Sequence, residues 1–425
     1  KKESQKINQA VTREEKKDPL YKTIIEEEIE TTTGLIRRDE TSISPIVKEL
    51  EKEWTEYIGA EYCLAQNNGT STLHAAYFAV GVEPGDEVIT PVFTWHLGVT
   101  PLLAAHGIPV FCDCDPLTLN IDPAKIEEKI TSKTRAISVC HVYGHPVDMD
   151  PIVEIAGKHN LAVIEDASHA HGAEYKGRKI GSIGDIGCFS LQGSKLMIAG
   201  EGGLLVTNNL QYYERAIMLG HYERIPSLTS KRYQKYKAAE NVPPMNYGFK
   251  YRIHPFAAGI AKVQLRYLEH RNDIERRNHE YLSKGLAEIE GVDPPYIASY
   301  ATKVTWLNYL ARFYPEKFKG VSREKIINAL KAEGVPSGTG RTGYIPLHLQ
   351  PLIQEHDMYG KGCPWRCRYA NPQEAYSKGD FPVAEKMYKE RISLPIFRDV
   401  IFDSELLDQF IEAFRKIADN IDELR

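Results

Sequence analysis

The sequence predicts an α/β fold in which a mostly parallel sheet is flanked by helices and followed by a smaller α+β unit. Two observations carry this. Apolar runs at 62–66, 87–90, 108–112, 135–140, 161–164, 186–191 and 203–206 alternate with helical patterns such as 71–81 and 151–159, and regular strand–helix alternation marks a parallel sheet covered on both faces. The chemistry-bearing residues also fall just after those runs: Asn68 to Ser71, Thr94-Trp95, Asp166 and Lys195. Ligands of open α/β sheets sit beyond the carboxyl ends of the strands. No Gly-x-Gly-x-x-Gly follows a strand, which argues against a dinucleotide site.

Taken in order, residues 1–40 are dense in Lys and Glu and poor in apolar residues. They read as an arm with a short helix around Tyr21 to Ile29, its early part disordered or docked on a neighbour. Ile46, Leu50, Trp54 and Ile58 recur at helical spacing and Gly59 stops the run, so 46–58 is a helix whose Trp54 belongs to the core. The strand–helix alternation occupies the next stretch. From Val263 the pattern turns helical through the charged run His270 to Arg277, a long helix leaving the first domain. The remainder mixes strands (Trp306 to Phe313, Ile392 to Pro395) with helices (Ser322 to Glu333, Ser404 to Leu424). The expected division is an arm over 1–40, a large domain over 41–284 and a small domain over 285–425.

Composition bounds the function. With 42% hydrophobic and 26% charged residues in 425 positions, the chain has enough apolar material for two domains. A net charge of -5 offers no basic footprint for nucleic acid. No apolar run approaches a membrane span, and the first residues show no apolar stretch of a signal peptide. Seven cysteines without a regular framework point to a reducing cytoplasm. Cys363-Pro-Trp-Arg-Cys367 has no second Cys/His pair near it, so no metal site is expected.

The chain declares its chemistry at Cys188-Phe-Ser-Leu-Gln-Gly-Ser-Lys195-Leu-Met-Ile-Ala-Gly-Glu-Gly-Gly203. Lys195 sits on a tight loop between two buried strands, with Gly193, Gly200, Gly202 and Gly203 keeping its surroundings open. Desolvation makes such a lysine a better nucleophile toward a carbonyl, although a bare loop lysine is ordinarily a solvated one. Its companions decide. Asp166 ends a strand and can face a pyridinium nitrogen. Gly69, Thr70 and Ser71 open a helix and can receive a phosphate, where alone they would be only a helix cap. A lysine, an aspartate and a phosphate turn are the parts that a pyridoxal phosphate enzyme needs.

Together, Asn68-Gly-Thr-Ser71, Gly85-Asp-Glu-Val-Ile-Thr-Pro91, Glu165-Asp-Ala167 and Phe189-Ser190 with Lys195 and Gly200-Glu-Gly-Gly203 resemble the DegT/DnrJ/EryC1/StrS family of sugar aminotransferases. The resemblance spans about residues 44–425 and implies a fold type I transferase. It implies that Lys195 forms the Schiff base and moves the proton, and that Asp166 holds the ring nitrogen protonated. It further implies that Ser190 contacts the phosphate, that Trp95 stacks on the cofactor ring where it would otherwise be a core residue, and that His169 lies near the phenolic oxygen. His171 has no such counterpart. Gly248-Phe-Lys-Tyr-Arg-Ile253 resembles a segment that reaches the phosphate of the neighbouring subunit, with Lys250 where Asn is commoner. Lys250 and Arg252 are thus implied contacts in a homodimer with shared active sites, or else an exposed basic loop.

The activity implied is transfer of an amino group from glutamate or glutamine to a ketone of a sugar or cyclitol. Ser190-Leu-Gln192-Gly-Ser-Lys195 and Cys363-Pro-Trp365 resemble the inosose aminotransferases, whereas nucleotide-sugar enzymes usually read Ser-Phe-His before the lysine. Gln192 either meets ring hydroxyls or merely packs beside the loop. The alternatives are a nucleotide-linked 4-keto-6-deoxy sugar, with Arg341, Arg366 and Arg368 available for a pyrophosphate, and a dehydratase like aminohydroxybenzoate synthase. A cofactor-free scaffold on the same fold is the rival of another class.

Overall fold

A computed structural model describes residues 10–11, 16–236, 245–335, 344–371, 374–394, 397 and 399–425. Its centre is a seven-stranded sheet built from β1 (Tyr62–Gln66), β2 (Glu87–Pro91), β3 (Ile108–Cys112), β4 (Thr134–Cys140), β5 (Ala162–Asp166), β8 (Ile186–Ser190) and β9 (Gly203–Thr207) in the order β1-β9-β8-β5-β4-β2-β3. The ladders from β3 through β8 are parallel, and β9 runs antiparallel to both β1 and β8. The carboxyl ends of β1, β2, β5 and β8 therefore share one edge. Every predicted strand of this sheet forms within two residues of its expected bounds.

The sheet is apolar on both faces, and consecutive residues divide between two cores. Ala65, Ile89, Ile137, Val163, Phe189 and Leu204 face one core with Trp54, while Leu64, Val88, Ala136, Ile164, Cys188 and Leu205 face the other. That alternation is the two-residue period of a strand buried on both sides. The second face is covered by α3 (Gly69–Ala79) and α6 (Leu210–Gly220); the first by α2 (Pro45–Ile58) and the long α7 (Pro255–Leu286), with α4 (Thr100–Ala104) and α5 (Met149–His159) following β2 and β4. Helix α2 is capped by the Ser44 hydroxyl and ends at Gly59 in the left-handed region, as its sequence asks.

The arm departs from expectation. Its helix, α1, runs Leu20–Arg37 rather than stopping near Ile29. Only Ile24 and Leu35 are buried in it, so its apolar period is weak. Its length comes from side-chain pairing along α7: Gln264 bonds Glu28 at 2.5 Å and the Tyr267 hydroxyl bonds Glu27 at 2.6 Å.

Beyond α7, a second sheet, β10 (Val292–Asp293), β12 (Tyr309–Phe313) and β13 (Arg391–Leu394), packs with α8 (Arg323–Ala332) and α11 (Ser404–Asp419) around Leu282, Phe313, Leu330 and Phe410. Two expected bounds shift. The strand begins at Tyr309, because Trp306 is buried against the His279 and Tyr309 rings instead of pairing. The last helix stops at Asp419, and a separate turn of 3-10 helix covers Ile421–Leu424. Pro395, expected to close β13, lies outside the described residues. A small sheet of β6 (Glu174–Tyr175), β7 (Arg178–Lys179) and β11 (Ala301–Lys303) joins the two parts of the chain. Around α9 (Pro351–Glu355) and α10 (Pro382–Glu390), the C-terminal part also returns to the central sheet: Trp365, Phe381 and Met387 share a core with Phe93 and Phe111.

Candidate active site

At the shared carboxyl edge lies a cavity of about 470 Å³. It is lined by Gly69, Thr70, Trp95, Asp166, His169, Ser190, Gln192 and Lys195 from the sequence reading. Leu73, Leu97, Gly98, Ser168, Ser194 and Tyr344 complete it. Ser168 was within reach of sequence reasoning, because it sits between Asp166 and His169. Gly98 follows Trp95 closely. Tyr344 carries no signal: it precedes Ile-Pro-Leu-His in a stretch without periodicity.

The Lys195 loop is held at both ends. Leu191 N–H bonds Gly202 O at 2.8 Å, Gly193 N–H bonds Gly200 O at 3.0 Å and Ala199 N–H bonds Leu191 O at 2.7 Å. Inside it, Gln192 Oε1 accepts from the Ser194 N–H at 2.9 Å and its hydroxyl at 2.6 Å. With its carbonyl so committed, the Gln192 amide has its N–H donors for the cavity. Lys195 is half-buried.

Asp166 ends β5 and is buried. Its Oδ1 accepts from Ser168 N–H at 3.1 Å, and its carbonyl accepts from His141 N–H at 3.2 Å. The preceding residue, Glu165, points to the opposite face. It takes N–H bonds from Gly181, Ile183 and Gly184 and faces His141 Nε2 at 3.1 Å. Burial acts to raise the Glu165 carboxyl, but the His141 bond and these amides outweigh it and hold it below its ordinary range. The Glu-Asp pair thus divides its work: one carboxylate anchors loop 181–184, the other reaches the cavity.

The turn after β1 shows why glycine is required. A Cβ on Gly69 would lie 2.6 Å from Ser190 Cβ, and one on Gly203 would lie 2.5 Å from Asn68 O. Asn68 caps α3 by accepting from Ser71 N–H at 2.7 Å. The Ser71 hydroxyl is engaged with Asn67 Oδ1 at 2.6 Å and Asn68 Oδ1 at 2.9 Å, and Ser71 is not among the cavity-lining residues. An anion at this helix start meets Gly69 and Thr70 first.

Trp95 is 45% exposed and tilted against Tyr344, ring centroids 5.4 Å apart. It is cavity wall, not core. His169 is buried; its Nε2 lies 3.2 Å from the Tyr344 hydroxyl. The arrangement fits pyridoxal phosphate. The volume is that of a cofactor pocket, a half-buried lysine and a buried carboxylate share it, and an exposed indole offers a flat face to a flat ring.

Lys250 and Arg252 do not enter this cavity. Lys250 is exposed. Arg252 lines a separate cavity of about 470 Å³ with Ser42, Glu51 and Arg224, its guanidinium 3.8 Å from Glu223. The loop is nonetheless tied to the turn of α3: Arg252 bridges Gln66, and Asn67 N–H bonds Tyr251 O at 2.7 Å. Arg366 and Arg368 are exposed, and Arg341 lies outside the described residues.

A family model described as the DegT/DnrJ/EryC1/StrS aminotransferase family matches residues 22–415. The chain belongs to that family. It is an aminotransferase that uses pyridoxal phosphate. Among relatives of this aminotransferase, the L-glutamine:scyllo-inosose aminotransferase of Streptomyces griseus is 32% identical over 377 residues, 89% of this chain and 87% of that one. The GDP-perosamine synthase of Caulobacter vibrioides is 36% identical over 312 residues, 73% of this chain and 79% of that one. The solved structure of 3-amino-5-hydroxybenzoic acid synthase superposes with a TM-score of 0.79 at 23% identity, covering 96% of this chain and 99% of that one. That likeness establishes the fold type I transferase architecture of this aminotransferase. Among the described residues no helix is long and apolar enough to cross a membrane, and no group of three or more His, Cys, Asp or Glu side chains could hold a metal ion.

Proposed function

We propose that this aminotransferase moves an amino group from glutamine or glutamate to the ketone of a free cyclitol or similar keto sugar. The observation that carries the reading is the convergence of Lys195, Asp166 and Trp95 on one cavity beside Gln192. When bound, the cofactor supplies an aldehyde that takes up the amino group and a pyridinium ring that accepts the electron pair released as a proton leaves carbon. Lys195 provides the amine that holds it and, once displaced, removes and returns that proton. Asp166 holds the ring-nitrogen proton by charge. Trp95 covers one face of the ring. Gly69, Thr70 and Ser190 receive the phosphate, with Ser71 supporting the turn through Asn67 and Asn68 rather than from the cavity wall.

The acceptor reading rests on Gln192. An amide donor that does not titrate near neutrality suits ring hydroxyls, and the Streptomyces griseus relative is named for scyllo-inosose and L-glutamine. A nucleotide-linked 4-keto sugar is the second reading, favoured by the likeness to GDP-perosamine synthase. The deciding measurement is amino transfer to scyllo-inosose against a nucleotide-linked 4-keto-6-deoxy sugar, each with glutamine and with glutamate. Turnover of the nucleotide sugar alone overturns the acceptor assignment.

The working unit in this reading is a cytoplasmic homodimer with shared active sites. Lys250 and Arg252, placed outside their own cavity, serve the phosphate of the partner subunit. Residues 41–284 carry the cofactor and 285–425 form the small domain, with the arm over 1–40.

A further inference from the structure

Tyr344 comes from the C-terminal part of the chain, yet it lines the cavity beside Trp95 and lies 5.2 Å from the Tyr143 ring. Its hydroxyl stands 3.2 Å from His169 Nε2. The direction of that bond is decided at the other ring nitrogen. Two donors converge on His169 Nδ1: the Tyr143 backbone N–H at 3.4 Å and the Cys140 thiol at 3.9 Å. A main-chain N–H can only donate, so Nδ1 accepts and carries no proton.

The charge state follows from burial. Burial holds His169 well below the usual imidazole range, and the nearby charges of Lys195, His171 and His141 push it the same way. Burial also raises the Cys140 thiol, mainly by desolvation and then by Asp166, so it keeps its proton. A neutral imidazole with a bare Nδ1 bears its proton on Nε2. Nε2–H then donates to the Tyr344 oxygen. Tyr344 is itself held above the ordinary phenol range by burial, then by Cys140 and Asp166, so it stays protonated. Its oxygen is occupied as an acceptor and its own proton remains to be given.

We propose that Tyr344 donates this proton in a hydrogen bond to the phenolic oxygen of the cofactor, and that His169 acts through it as a positioning residue. The assignment rests on the cavity being the pyridoxal phosphate site. The phenolic oxygen is attached next to the carbon that Lys195 engages, whereas Asp166 serves the ring nitrogen on the opposite side. Tyr344 lines the same cavity as Lys195, and its hydroxyl stands on His169, the imidazole on which Lys195 is the first charge to act, so its proton is assigned to that oxygen. His169 becomes the residue behind the contact instead of the contact itself. A donor on the phenolic oxygen competes with the proton shared between it and the lysine–cofactor linkage, so it lowers the proton affinity of that linkage.

Two measurements test this. In cofactor-free protein labelled with 15N-histidine, NMR should show His169 neutral with its proton on Nε2 from about pH 6 to 8, the resonance being identified by its loss in His169→Gln. An imidazolium, or a proton on Nδ1, overturns the relay. In the reconstituted holoenzyme, the pH midpoint of the visible chromophore should rise by about one unit, a tenfold gain in proton affinity, in Tyr344→Phe. His169→Leu should raise it too, while His169→Gln, whose amide N–H replaces Nε2–H, should stay near the parent. An unchanged midpoint in Tyr344→Phe overturns the proposal, and His169→Leu provides the same readout if that variant does not fold. A parent protein without a Lys195-dependent chromophore would sink the cofactor reading separately, while the NMR result still reports on the relay.

Discussion

Gly69 packs on Ser190 so closely that a side-chain carbon at 69 would stand 2.6 Å from Ser190 Cβ and 3.0 Å from its Cα. The helix start after β1 and the end of β8 therefore meet backbone against side chain, directly under the cavity. Shape there is set by the absence of a methyl group, and both residues are proposed phosphate contacts.

Gly69→Ala should destabilise the protein by about 1–3 kcal/mol through overpacking and weaken cofactor binding further. Thermal unfolding with and without pyridoxal phosphate measures both. Adding Ser190→Gly should recover part of the stability. A Gly69→Ala protein with unchanged melting temperature would show that the contact relaxes freely.

Lys195→Ala should abolish the yellow chromophore. Borohydride reduction of the parent, followed by peptide mapping, should place the label on Lys195. A label on another lysine refutes the assignment.

Asp166→Asn should keep the fold, because the Ser168 N–H bond to Oδ1 survives in an amide. It should lose roughly 10²-fold or more in turnover, since an amide cannot hold the pyridinium proton by charge. Single-turnover rates near those of the parent would disprove the role.

Glu165 should make stability fall in acid. Its carboxyl is held below its ordinary value in the fold, so the stabilisation is complete above the unfolded carboxyl range and is lost as pH falls through the folded value. Glu165→Gln should cost about 1–3 kcal/mol near neutrality and flatten the stability profile at acid pH. Denaturant titrations across pH 3 to 7 check this, and a variant whose acid slope matches the parent would contradict it.

Mixing inactive Lys195→Ala protein with an inactive Lys250/Arg252 double variant should restore part of the activity in heterodimers. Absence of recovery, with subunit exchange demonstrated, would return the loop to its own subunit.

The central sheet was legible because burial on both faces leaves short, continuous apolar runs, of which Leu64-Ala65 and Val163-Ile164 are typical. Asp166 and Lys195 were legible because each follows such a run. Other parts were not. Tyr344 reaches the cavity through tertiary packing, with no local pattern around it. Ser71 looks like an anion contact in sequence, but its hydroxyl is taken by Asn67 and Asn68. The full length of α1 was hidden because it is held by polar pairs such as Glu28–Gln264 and not by an apolar stripe. Arg252 shares its segment with Lys250, and only folding places it against Glu223 and away from its own cavity.

The Lys195 loop is closed at its neck by the bonds from Leu191 to Gly202 and from Gly193 to Gly200. The lysine is therefore metered by chain length as well as by residue type. Side chains inside the loop, Gln192 among them, can be exchanged without altering its length, which is the route by which the acceptor preference proposed above would be retuned. A residue added or deleted between Gly193 and Gly200 moves the Lys195 amine relative to the Asp166 carboxylate that shares its cavity. In descendants of this sequence, natural or designed, divergence there should be by substitution and never by insertion.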